Sequence, residues 1–425
     1  MAKSEEESKE RNGPEGRSAP AERVVEILKQ MKSDREDINS ISIAKDGEIH
    51  ILKPESLRQF EDTDSKDVKW REAIFIDGGQ AALIENSDFC LSFIRIGAFR
   101  QSRNNDAEKN ETQGPEAQKG LGSAEMAMRD QKRKGKQGRA KVSEFYIAVK
   151  AESEDTPEKN EKTGLPGFKS EIVSIKDEIG LEEFLKHIEQ ATIAGTDASN
   201  RRREAPEAAA LIRRILEICA ARALLHEESS RDTILVLDGH LEWEDNQERK
   251  FLAELLKEAD EKETAVAALA KKTGMTSEDG KSVVSLLKVL EKKTDITGNW
   301  IAALEGSSSE KENARNDNDN RKEARVKTYF VKLHPKSRFV FKLQIPAENS
   351  ESADLIAGWL SRVSKDPVFL GYPYGLIMAD RIARVSNREA EYEKTRLKAK
   401  LGREWRDVED ALAMPDAHSV LDSIY

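Results

Sequence analysis

The chain has 425 residues, 37% hydrophobic and 35% charged, with a net charge of −10. That length allows one large or two medium domains. The acidic balance excludes a polycation, so any nucleic-acid contact must come from a local basic surface.

Residues 1–20 carry Glu, Lys, Ser, Gly and Pro with almost nothing to bury, which predicts a disordered tail without the apolar core of a signal peptide. A single domain is expected over 21–425. From Ala21 the pattern turns helical, with Val24, Ile27, Leu28 and Met31 at three- and four-residue steps. Residues 40–52 alternate around Asp46-Gly47, which predicts a hairpin. Ala73 to Ile76 reads as a short buried strand ending at Asp77, and 90–99 as a second strand. A polar tract near 100–140 closes on a basic knot of Lys132, Arg133, Lys134, Lys136 and Arg139. It reads as an insertion, because 142–149 resumes strand character. Tracts near 151–164 and 306–325 read the same way.

Helices are expected over 181–193 and from Pro206 to Leu225, the proline being well placed in a first turn. Residues 233–237 form the most β-like run. A helix over 247–259, an apolar run over 265–270 ending at Lys271-Lys272, and a helix over 282–290 follow. Two strands flank His334-Pro335-Lys336-Ser337, and 353–363 is amphipathic. Gly371-Tyr372-Pro373-Tyr374-Gly375 is a break before one long helix over 376–401. The order suits an α/β fold, a mixed sheet with flanking helices interrupted by polar insertions. Two cysteines, Cys90 and Cys219, give neither a disulfide framework nor a zinc set and fit buried thiols in a reducing cytosol. No run of about 18 apolar residues occurs, so no membrane helix is expected and a cytoplasmic location is.

Asp77 and Asp238 each close an apolar run and precede glycine, in Ile74-Phe75-Ile76-Asp77-Gly78-Gly79 and Ile234-Leu235-Val236-Leu237-Asp238-Gly239. A buried strand ending in Asp-Gly puts a carboxylate at a sheet edge, and the glycine frees the backbone for a tight turn and leaves room for a ligand. Two such ends, with Glu217 on a helix between them, point to a divalent-metal cage for phosphodiester chemistry. That chemistry needs rigid oxygen ligands of the kind Mg²⁺ and Mn²⁺ favour. Asp380, near the start of the last predicted helix, is the candidate to close the cage. Plainer readings stand beside these. Asp-Gly is an ordinary turn, Glu217 has salt-bridge spacing to Arg213 and Arg214, and Asp380-Arg381 is a surface pair. Lys271-Lys272 is a solvated element end, and Lys342 faces water from an alternating strand.

Several stretches occur in a familiar order: Phe75-Ile76-Asp77-Gly78-Gly79, Leu235-Val236-Leu237-Asp238-Gly239-His240-Leu241, Ala268-Leu269-Ala270-Lys271-Lys272-Thr273, Tyr329-Phe330-Val331-Lys332-Leu333, and Gly371-Tyr372-Pro373-Tyr374-Gly375-Leu376-Ile377-Met378-Ala379-Asp380. Together they resemble the NurA nuclease family of archaeal and bacterial DNA repair. The resemblance implies an RNase H-like core, a homodimer around a DNA channel, and a manganese-dependent 5′→3′ exonuclease and single-strand endonuclease, with Mg²⁺ as the second candidate ion. It implies a HerA-type hexameric translocase as partner in the resection of double-strand-break ends. It assigns Asp77, Glu217, Asp238 and Asp380 as metal ligands, with Glu204 and Glu207 as rivals for the helix glutamate, and Lys271 and Tyr372 as further site residues. Some members carry histidine where this chain has Asp380. A basic channel is expected from Lys271, Lys272, Lys342 and Arg213. A non-catalytic adaptor that binds DNA and the translocase is the alternative.

Overall fold

The structure is a computed structural model that describes residues 18–36, 38–45, 48–61, 70–102, 139–152, 166–197, 200–227, 232–304 and 326–412. The Asp46-Gly47 turn, Lys132 to Lys136 and the bulk of the expected tail and polar insertions lie outside them. The helices are α1 (Ser18–Glu36), α2 (Glu182–Gln190), α3 (Ala205–Leu225), α4 (Asn246–Glu261), α5 (Val283–Glu291), α6 (Ala353–Arg362), α7 (Tyr374–Ala383), α8 (Asn387–Leu401) and α9 (Glu404–Ala411). The strands are β1 (Ile41–Lys45), β2 (Glu48–Leu52), β3 (Arg58–Phe60), β4 (Glu72–Glu85), β5 (Phe89–Ser102), β6 (Arg139–Ala151), β7 (Phe168–Asp177), β8 (Thr233–Asp238), β9 (Ala265–Ala270), β10 (Asn299–Ala303), β11 (Val326–Lys332) and β12 (Phe341–Pro346).

They group into two compact units. The smaller contains α1, the antiparallel β1–β2 hairpin and α5. Alternation buries Ile41 and Ile43 of β1, while Val283, Leu286, Leu287 and Leu290 form the buried stripe of α5. The apolar stripe of α1 stays exposed, with Leu28 at 59%.

The larger unit is built on a ten-stranded sheet in the order β3-β10-β11-β12-β9-β8-β4-β5-β6-β7. Its centre follows from Ala73-Ile74-Phe75-Ile76 and Ile234-Leu235-Val236-Leu237, apolar runs buried on both faces as parallel neighbours require. β4, β5, β6 and β7 form an antiparallel meander, whereas β4, β8 and β9 run parallel. The order β6-β5-β4-β8-β9 is the RNase H-like arrangement within a mixed sheet flanked by helices. One face buries α3 and α4 against Ile74, Ile94 and Leu235; the other buries α6 and α7 against Phe75, Phe99 and Val236. Helix α3 is buried almost all round, because Ala208, Ala209, Ala220 and Ala221 let it lie close to its neighbours. Pro206 sits in its first turn, as expected.

Two expectations change. The Asp77-Gly78-Gly79 segment is not a turn: β4 runs for 14 residues straight through it, paired with β5 from Glu72 to Glu85. The helix expected over 376–401 is two, α7 and α8, divided at Arg384-Val385-Ser386. Ser386 is the cause. Glu389 N donates to its Oγ at 3.2 Å, and its own N donates back to the Glu389 carboxylate at 2.9 Å, a capping box that starts a new helix. Ser386→Ala is expected to cost about 1 kcal/mol, read as a lower urea midpoint at unchanged slope.

Candidate metal centre

Strand register brings the first two acids together. Ile76 pairs with Leu237 in the last rung of the parallel β4–β8 ladder, so Asp77 and Asp238 follow as neighbours one residue beyond it. Asp238 in turn pairs with Leu269 of β9, and the chain reaches Lys271 two residues later. Three parallel strands thus deliver two carboxylates and an ammonium to one end of the sheet, where open α/β sheets hold their ligands. Gly239, at φ +115°, turns the chain away from Asp238 in a conformation that favours glycine.

Asp380 arrives from the other face, on α7, in the second half of that ten-residue helix rather than near its start. It reaches the sheet because α7 lies directly on β4. A Cβ built on Gly79 would meet the Ala383 carbonyl oxygen at 2.1 Å, and one on Gly78 would meet Glu217 Oε1 at 2.4 Å. These two glycines are mid-strand clearances for a helix on each side, not turn residues. Gly79→Ala is expected to push α7 off the sheet at a cost of about 1–3 kcal/mol and to lower divalent-ion affinity, measured by thermal melting with and without Mn²⁺.

Carboxylate oxygens of Asp77, Asp238 and Asp380 lie within 4.8 Å of one another. Gly78 N donates to Asp77 Oδ1 at 2.8 Å. Lys271 Nζ lies 2.6 Å from Asp238 Oδ2 and 3.1 Å from Asp380 Oδ1, and Arg384 Nη2 donates to Asp380 Oδ2 at 2.7 Å. The Tyr372 hydroxyl donates to Asp238 Oδ1 at 3.3 Å, and its ring lies 5.4 Å from the Lys271 ammonium.

Burial, then Asp238 and Glu217, push the Asp77 carboxyl well above its usual range, although Lys271 works the other way. Burial and the charges of Asp238 and Asp77 likewise drive the Tyr372 hydroxyl well up and keep it protonated. Burial opposes the charged form of Lys271, but Asp238, Asp380 and Asp77 outweigh it and raise its pKa. The cluster is therefore electrostatically frustrated in the way a cation relieves. Three hard oxygen donors from separate elements suit Mg²⁺ or Mn²⁺.

The other candidates divide. Glu217 lies beneath Gly78 but outside the three-aspartate cluster: Arg213 Nη1 donates to its Oε1 and Arg214 Nη1 to its Oε2 at 2.9 Å. The salt-bridge reading of that spacing is thus realised, while the carboxylate still acts on Asp77 through its charge. Glu204 caps α3 and Glu207 pairs with Arg201, both at the start of the helix. Arg213 Nη1 also donates to the Gly78 carbonyl at 3.0 Å, and Lys272 is exposed. Lys342 does not face water. It sits opposite Ala270 in the sheet, buried, with Nζ 2.9 Å from Glu242 Oε2. Arg384 was not among the sequence candidates; its signal was the i, i+4 spacing from Asp380.

The NurA domain model matches residues 71–385. The chain belongs to the NurA family. Asp77, Glu217, Asp238, Lys271, Tyr372 and Asp380 all fall inside the matched NurA domain. Among solved structures, the chain is similar to the NurA nuclease from Sulfolobus solfataricus at 12% identity and a TM-score of 0.45, covering 90% of this chain and 95% of that one. It is also similar to Ciona intestinalis endonuclease V in complex with a 24mer DNA containing an inosine followed by a ribo-adenosine, at 13% identity and a TM-score of 0.31, covering 88% of this chain and 99% of that one. No curated protein matches it. No helix among the described residues is long and apolar enough to cross a membrane.

Proposed function

We propose that this NurA-family chain is a divalent-metal-dependent nuclease that hydrolyses phosphodiester bonds of DNA. The observation that carries the proposal is the meeting of Asp77, Asp238 and Asp380, 303 positions apart at the extremes of the sequence (380 − 77), within 4.8 Å. Those three carboxylates would hold the ion, Mn²⁺ or Mg²⁺, which when bound supplies Lewis-acid activation of water and of the phosphoryl oxygen. Tyr372 fixes the orientation of Asp238 through its protonated hydroxyl. Lys271, its pKa raised by the acids around it, carries a positive charge to the same place across neutral pH, suited to a phosphate oxygen. Glu217, clamped by two arginines, is given a supporting role through its charge on Asp77.

The family resemblance extends the proposal to 5′→3′ exonuclease and single-strand endonuclease action in end resection, by a homodimer working with a HerA-type hexameric translocase. The test is incubation of linear duplex and single-stranded DNA with the purified protein in EDTA, Mg²⁺ or Mn²⁺. Degradation is expected with either ion and none in EDTA. DNA that is bound yet uncut with both ions, with and without the translocase, would leave the adaptor reading instead. Because contact with a polyanion rests on local cations in an acidic chain, DNA affinity is expected to fall steeply as salt rises.

A further inference from the structure

One solvent-exposed aromatic ring of the larger unit is linked to the acids through other rings. Phe339 is 46% exposed, yet it is not a stray surface residue. Its ring stacks on Phe369 with centroids 5.0 Å apart and planes 14° apart. Phe369 meets Tyr372 edge-on at 5.3 Å, and the Tyr372 hydroxyl bonds Asp238. Two ring contacts and one hydrogen bond therefore lead from open solvent to a proposed metal ligand. Lys336 and Arg338, both exposed, precede Phe339 by three residues and by one.

The ring is also held in place. Ser337 is buried, and its Oγ accepts a hydrogen bond from Phe339 N at 3.1 Å. Ser337 N donates to the His334 carbonyl at 3.0 Å, closing the turn. Gly371, just before Tyr372, packs so tightly on Ser337 that an added Cβ would lie 2.4 Å from its Oγ. The turn that presents Phe339 is thus locked to the segment that presents Tyr372, and little ordering is left for a ligand to impose.

A rigid exposed ring, backed by a second ring and preceded by exposed cations on the same turn, is what single-stranded nucleic acid binds: the base stacks and the cations follow the phosphates. We propose that Phe339 is a stacking platform for an unpaired base of the DNA strand being cut, a few nucleotides from the phosphodiester at the aspartates. This deepens the nuclease reading and rests on it for the substrate, but its test does not need cleavage. A free apolar face would equally suit a protein partner. The exposed cations of the turn and the path through Phe369 and Tyr372 to Asp238 favour nucleic acid.

The experiment is binding of a short oligo(dT) carrying one 2-aminopurine to the full chain in EDTA at low salt, with wild type, Phe339→Ala and Phe339→Trp compared. Wild type is expected to quench the 2-aminopurine at one register near the strand end. Phe339→Ala should lose that quench and bind on the order of tenfold more weakly, and Phe339→Trp should restore both. Circular dichroism melts identify a variant that has merely unfolded, and the Trp variant then decides. Absence of quenching by wild type at every register, or unchanged oligo(dT) affinity in folded Phe339→Ala, would overturn the proposal. Failure of the nuclease reading would show separately, as wild-type protein that quenches 2-aminopurine yet cuts nothing with either ion.

Discussion

Asp77→Asn and Asp238→Asn are each expected to leave a folded protein whose metal-dependent DNA cleavage has fallen by about 10²–10⁴-fold. Each would replace an anionic ligand of the proposed ion by a neutral one of the same shape. A bound ion stabilises developing charge by several kcal/mol, and each ~1.4 kcal/mol is tenfold in rate. Stability moves the opposite way for Asp77. Its carboxyl is pushed up by burial and by Asp238 and Glu217, so the folded state prefers it protonated. The associated stability is fully present below the unfolded value of about 3.9 and is lost as pH rises through the folded value. At neutral pH without metal, the ionised group is a liability. Asp77→Asn should therefore melt at a higher temperature than wild type in EDTA, with the gain shrinking toward acid pH. Cleavage by both variants within a few-fold of wild type would remove the aspartates from the chemistry.

Lys271→Ala is expected to lower the melting temperature in EDTA, to increase the stabilisation gained from Mn²⁺ or Mg²⁺, and to weaken cleavage. The ammonium lies between Asp238 and Asp380 at 2.6 and 3.1 Å. Without it, three clustered carboxylates repel one another until a cation enters. Its side chain is 37% exposed, so water screens the loss, and about 1–2 kcal/mol is the expected cost, less than for a fully buried pair. The raised pKa of Lys271 sets the pH window. Its contribution is complete below the unfolded value of about 10.4 and fades only as pH rises through the folded one, so the deficit should be constant across neutral pH. Lys271→Arg keeps the charge and should recover much of the melting temperature. Equal EDTA melts for wild type and Lys271→Ala would show that the ammonium does not balance the cluster.

Much of this site was legible in the residues. The two Asp-Gly motifs marked Asp77 and Asp238, because a buried apolar run that ends in a charge has few places to put it. The pairing of Ile76 with Leu237 shows why they meet. What periodicity did not give was clearance. Gly78 and Gly79 read as a turn because that is the commonest use of paired glycines, whereas here they admit Glu217 and the backbone at Ala383. The split between α7 and α8 was written in Ser386 and Glu389 but was masked by continuous helical propensity on either side. Strands β3, β7 and β10 were missed because edge and near-edge pairing depends on partners far away in the chain. The burial of Lys342 was invisible for a similar reason: strand alternation cannot foresee Glu242 waiting on another segment.

That Asp77 sits inside a continuous strand has a mechanical consequence. Its backbone is stitched to β5 on both sides of the carboxylate, so it cannot drift when a substrate arrives. Asp380 rides on a short helix that stops three residues later. Any breathing of the centre must then come from the helix, like a jaw closing on a fixed anvil. Amide exchange should be slowest along 73–79 and appreciably faster across 380–386, with the difference narrowing once an ion joins the two sides.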